Sequence, residues 1–183
     1  MNTALLEDSP IADEVICVSE PITADEVDEL GYFAANPDIR PAGMTAREYF
    51  IARGRSEHRT QWINLAEVAR MRERKLSRVK FRCDPQRVRE PGQAPNFLSA
   101  ETIEEFSIPD APPISAHPYG PAVVDLVRAN RDKLMLDVGA GLRRSYHGNV
   151  INTDIYASAS TDVICIAEDL PFADEQFDFV FCL

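Results

Sequence analysis

The sequence predicts an α/β protein in which a parallel sheet over residues 134–183 follows a helical N-terminal region. Three observations carry this reading. Four short, nearly continuous apolar runs lie within residues 134–183, as expected of parallel strands buried on both faces. Helix-capping signals and apolar residues at helical spacing fill residues 23–80. Seven of the thirteen prolines fall within residues 91–121, a density that forbids long helices and central strands and sets the two regions apart.

Composition narrows the function classes. A chain of 183 residues has room for one full domain, or a small domain and part of another. Its 45% hydrophobic and 27% charged residues are ordinary for a globular protein. The net charge of −11 argues against a general phosphate-backbone binder, so no nucleic-acid partner is expected. No apolar run approaches the roughly 18–20 residues that span a bilayer, so no membrane partner is expected either. The first thirty residues hold no Lys or Arg, which excludes a secretory signal with a basic start. Cys17, Cys83, Cys165 and Cys182 lie far apart with no CxxC pair, so neither zinc nor a disulfide framework is suggested. A reducing cytoplasm is the expected setting.

Taken in order, residues 1–22 read as an acidic, disordered and solubilising tail. Residues 23–90 read as a helical module. Thr23 and Glu26 form a capping-box pattern ahead of Val27, Leu30 and Phe33, and the pair Asn36 and Pro37 stops that helix. Thr45 and Glu48 repeat the box, with Gly54 as the stop. Trp62, Leu65, Ala69, Leu76 and Val79 mark one face of a longer helix over 61–80. Its basic residues alternate with Glu67 and Glu73 at helical spacing, the pattern of a solvated face. Residues 91–120 form the Pro-rich linker, broken by one helical turn around Ile103 and Phe106. Pro121 then opens an apolar helix that ends near Asn130.

The sheet region carries the chemistry. Leu134 to Val138 is a strand leading into Gly139 and Gly141, and Val150 to Asp154 is a second strand closed by an acid. Asp162 to Ile166 and Phe177 to Leu183 are the third and fourth. Ligands of parallel sheets bind at the carboxyl ends of the strands, where Asp137, Gly139, Gly141 and Asp154 fall. Glycines there let the backbone approach a ligand with no Cβ in the way. An acid at the end of the second strand can accept from both hydroxyls of an adenosine ribose. Asp137 would face a cationic part of the ligand, such as the α-ammonium of S-adenosylmethionine.

These residues resemble a known family. Leu136 to Gly141, Asn152 to Ile155, Ala167 to Phe172 and Glu175 to Val180 are similar in order and spacing to class I S-adenosylmethionine-dependent methyltransferases of the small-molecule type 11 group. The resemblance implies a Rossmann-like sheet, S-adenosyl-L-methionine as cofactor, and methyl transfer to a small-molecule or glycan-type acceptor. It places Asp137, Gly139 and Gly141 at the methionine end of the cofactor, Asp154 on the ribose, Ile155 on the adenine face, and Ala167 and Glu168 at the adenine edge. Leu30 to Ile39, followed by Gly43, Glu48 to Phe50 and Gly54, resembles a short helical module attached to bacterial glycan-related transferases.

The chain departs from the family at Arg143, where a third glycine is common, and at Ile166, where an Asp usually precedes the Ala-Glu pair. Only Leu142 to Asn149 separate the glycine loop from the second strand, so at most a two-turn helix is expected there. Arg143 and Arg144 read as exposed, with contact to the methionine carboxylate of the cofactor as the alternative, His147 as a surface residue, and His58 and His117 as histidines with no identifiable partner. Leu183 falls inside the fourth strand, which reads as the N-terminal half of a methyltransferase domain. On that reading the cofactor pocket has a floor and no opposite wall, and the chain alone binds cofactor weakly, transfers no methyl group and self-associates along its free sheet edge. No catalytic base is identified. A non-catalytic binding or scaffold module of the same fold is the alternative, and a nicotinamide or flavin domain would want a glycine where Arg144 stands.

Overall fold

A computed structural model describes residues 17–86, 90, 92–110 and 114–183, with only the backbone of 40–42. Most of the expected acidic tail (residues 1–16), together with Arg87, Arg89, Pro91, Pro112 and Pro113, lies outside the described residues.

From Cys17 onward the chain is ordered structure rather than tail. Cys17–Ser19 forms β1, antiparallel to β2 (Gln61–Ile63), with Cys17 opposite Ile63. Their buried side chains pack with Val68, Met71 and Tyr146. The Thr23 side chain caps nothing. Ala24–Glu26 is a single 3-10 turn, and helix α1 (Glu29–Ala35) is instead capped by Asp28, which accepts from the Gly31 N–H at 2.6 Å. Asn36 ends it as expected. The Thr45–Glu48 capping box is formed at α2 (Ala46–Tyr49), which continues as a π-helical turn over Phe50–Gly54.

The helix expected over 61–80 is shorter, because Gln61–Ile63 pairs with β1 instead. Helix α3 (Leu65–Leu76) starts after Asn64, whose side chain accepts from the Glu67 N–H at 3.0 Å. Its basic stripe is not simply a solvated face, since Arg72 and Lys75 are buried. Arg72 donates to the carbonyls of Thr161 and Ala159 at 3.0 and 3.1 Å, and Lys75 to that of Val150 at 2.7 Å. A buried polar group is tolerated only where such partners exist. Short helix α4 (Ala100–Glu105) interrupts the linker, and α5 (Pro121–Ala129) opens on its proline.

Strands β3 (Met135–Val138), β4 (Val150–Asp154), β5 (Val163–Ile164) and β6 (Phe179–Phe181) form one sheet in the order β5-β4-β3-β6, and every pairing is parallel. All four lie within the expected apolar runs. The register Leu136 opposite Ile151 gathers Leu136, Val138 and Ile151 on one face, against Leu76 and Val79. Met135 and Val150 occupy the other, against Val127 of α5. The fold is therefore α/β, with a parallel sheet covered by a helix on each face.

One further expectation is corrected here. The connection from Leu142 to Asn149 holds no helix: the Val18 N–H donates to the Arg144 carbonyl, and the Tyr146 N–H donates to the Val18 carbonyl, both at 2.8 Å. With the Leu142 N–H donating to the Ser115 carbonyl and the Arg143 N–H to Ser160 Oγ, both at 2.8 Å, these backbone groups are spent on other segments in place of a helical ladder. Strand β6 lies at the sheet edge with Val180 exposed. Among the described residues, no helix is long and apolar enough to cross a membrane.

Candidate functional site

A cleft of about 280 Å³ opens at the carboxyl ends of β3, β4 and β5. Gly139, Gly141, Asp154, Ile155 and Ala167 line it together, five of the seven residues singled out in the sequence. Val138, Thr153, Tyr156 and Cys165 complete the floor and sides. Ile114 and Ser115, from the Pro-rich segment, line it on the linker side. Nothing in the local sequence at 114 and 115 marks them as site residues; they arrive through the path of the linker.

The glycine loop is shaped by backbone geometry. Gly139 and Gly141 have φ of +69° and +61°, a region costly for any residue with a Cβ. Around Gly139 the space for a Cβ is open, toward the cleft. At Gly141 a Cβ would stand 2.4 Å from the Ser115 carbonyl oxygen, and the Leu142 N–H donates to that same oxygen at 2.8 Å. Gly141 thus admits the chain's own linker, while Gly139 leaves room at the strand tip.

Asp154 closes β4 as expected. One carboxylate oxygen accepts from the Gly141 N–H at 2.7 Å and the other from the Tyr156 N–H at 3.0 Å. An ionised carboxylate offers about four acceptor positions. Two remain directed from a rigidly held group, one on each oxygen, which suits a pair of adjacent hydroxyls. Cys165 on the floor is no nucleophile, because burial pushes its thiol up to about 12.

Asp137 lies under the loop, outside the lining of the cleft, and is fully buried. It does face a cation, but one supplied by the chain. Arg143, expected at the surface, is 1% exposed. Its Nε donates to Asp137 Oδ2 at 2.9 Å and its Nη2 to Oδ1 at 3.3 Å, a forked pairing. The Tyr119 hydroxyl donates to Oδ2 at 2.8 Å. Burial first, then the Asp137 charge, raises the pKa of that phenol, so it stays a donor. Arg143 Nη1 donates to the His117 carbonyl at 2.8 Å, tying the linker over the loop.

The remaining expected residues disperse. Glu168 is exposed and takes no part in the lining. His147 is buried, not superficial, because the Leu142 to Asn149 connection folds inward to meet β1. His58 does have a partner, Glu20, with its Nδ1 2.8 Å from Oε1. Among the described residues no group of three or more His, Cys, Asp or Glu could hold a metal ion.

Comparison with known families, curated proteins and solved structures finds no match for this chain. The likeness to methyltransferases rests on the four motifs alone.

Proposed function

We propose that the cleft binds the adenosyl part of S-adenosylmethionine, on a Rossmann-like sheet, and that the chain serves methyl transfer to a small-molecule or glycan-type acceptor. The observation that carries this reading is Asp154, held by two backbone N–H groups with one acceptor direction left on each oxygen at the mouth of the cleft. Ile155, Tyr156 and Ala167 supply apolar surface for a base beside it. When bound, the cofactor supplies an electrophilic sulfonium methyl group for an O, N or C nucleophile. What the chain contributes is position: Asp154 fixes the ribose, and the wall of Ile114 and Ser115 limits water on one side.

A non-catalytic nucleoside-binding module is the second reading, favoured by the internal pairing of Asp137 with Arg143. Calorimetric titration of the chain with S-adenosylmethionine tests the proposal, with micromolar binding expected. Asp154→Ala should weaken binding by about 1–3 kcal/mol, roughly 5- to 150-fold. Affinity unchanged by that substitution would remove Asp154 from the ribose and the proposal with it.

A further inference from the structure

We infer that the cleft recognises an adenine nucleoside and not the amino-acid tail that S-adenosylmethionine carries, because Arg143 already occupies the anionic position such a tail would need. The inference rests on the adenosyl reading of the cleft and narrows its ligand class to 5′-substituted adenosines.

An α-ammonium group is held by a carboxylate with open acceptor positions. Asp137 has none facing the cleft. Its Oδ2 accepts from Tyr119 and from Arg143 Nε, and its Oδ1 accepts from Arg143 Nη2. The side chains of the pair are 2% and 0% exposed. To reach Asp137, a ligand ammonium would have to displace a guanidinium that also stacks over the Tyr119 ring at 4.7 Å and bonds the His117 carbonyl. Displacement would leave a buried, always-charged arginine without its counter-ion, which costs several kcal/mol.

Nor does Arg143 serve a ligand carboxylate. Three of its five N–H donors are committed within the protein, and the group does not line the cleft. The nucleoside end is in the opposite condition: Asp154 is partly exposed, lines the cleft and keeps acceptor capacity on both oxygens. Recognition is therefore concentrated at one end of the ligand.

The test is a calorimetric comparison of 5′-methylthioadenosine with S-adenosylhomocysteine on the intact chain. The two share the nucleoside and the sulfur and differ in the zwitterionic tail. Dissociation constants within about threefold of each other are expected. Binding of S-adenosylhomocysteine tighter by about tenfold or more would show that the tail is held, overturning this inference while leaving the adenosyl reading intact. If neither ligand binds, the adenosyl reading fails and this inference falls with it. Arg143→Met provides a second measurement, as it removes the internal cation and leaves Tyr119 on Asp137. In that variant S-adenosylhomocysteine should gain at least about tenfold over 5′-methylthioadenosine, and an unchanged ratio in a folded variant overturns the role given to Arg143.

Discussion

The Lys75 ammonium meets the Asp162 carboxylate at 2.5 Å, with both side chains buried between α3 and the sheet. Tyr146 donates to the other carboxylate oxygen, and the Asn152 N–H donates to Oδ2 at 2.8 Å. Burial lowers the Lys75 pKa, and the Asp162 charge opposes that shift. Removing Lys75 leaves the buried Asp162 with only the more distant Arg72 Nε, 3.7 Å from Oδ1, as its cation. Lys75→Met should therefore destabilise the fold by about 3–5 kcal/mol, and the double variant Lys75→Met with Asp162→Asn by distinctly less. Urea denaturation of wild type, both single variants and the double variant measures this coupling. Additive costs would mean the pair acts as two unrelated contacts.

His147 gives the fold a dependence on acid. Its Nε2 has no partner among the described residues, and burial pushes its pKa from 6.5 down to about 4. Between those values the unfolded chain binds a proton that the folded chain refuses. Stability from this residue is thus complete above the unfolded pKa and is lost as pH falls toward 4, by roughly 3 kcal/mol in total. His147→Gln should flatten the stability profile over that interval. Thermal denaturation across the range, wild type against variant, would show parallel curves if the residue does not contribute.

The two loop glycines should respond differently to a methyl group. Gly139→Ala meets open space and bears only its left-handed backbone, a cost of about 1–2 kcal/mol. Gly141→Ala bears the same strain and also strikes the Ser115 carbonyl, adding about 1–3 kcal/mol. The second variant should also lose ligand affinity, because the displaced Ser115 belongs to the cleft wall. Denaturant midpoints and a nucleoside titration separate the effects. Equal destabilisation by both would argue that the linker yields freely at Ser115.

Much of the sheet was legible because parallel strands announce themselves through continuous apolar runs, and Val150–Asp154 matches its run residue for residue. The clustering of Gly139, Gly141 and Asp154 followed from the same logic, since adjacent parallel strands bring their carboxyl ends together. What stayed hidden depends on distant partners. Arg143 and Lys75 are surface residues by type; buried Asp137 and Asp162, with the carbonyls of His117 and Val150, draw them inward. Cys17–Ser19 sits in an acidic stretch, too short for periodicity to speak, and becomes a strand only by pairing with Gln61–Ile63. The cap at Asp28 rather than Thr23 is a local competition, settled where the chain turns to place Gly31 against the Trp62 carbonyl.

The placement of β1 also bears on how the polypeptide is made. Val18 exchanges backbone hydrogen bonds with Arg144 and Tyr146, and the Cys17 thiol donates to the Arg143 carbonyl across 126 residues of sequence. A ribosome delivers Cys17–Ser19 long before residues 143–146 exist. The cluster of Tyr32, Ile39, Tyr49 and Phe50 needs only nearby sequence and can assemble during synthesis. The strand beside it can find β2 early but must wait for its second partner until the glycine loop has emerged. For this strand, order of birth and order of completion run in opposite directions.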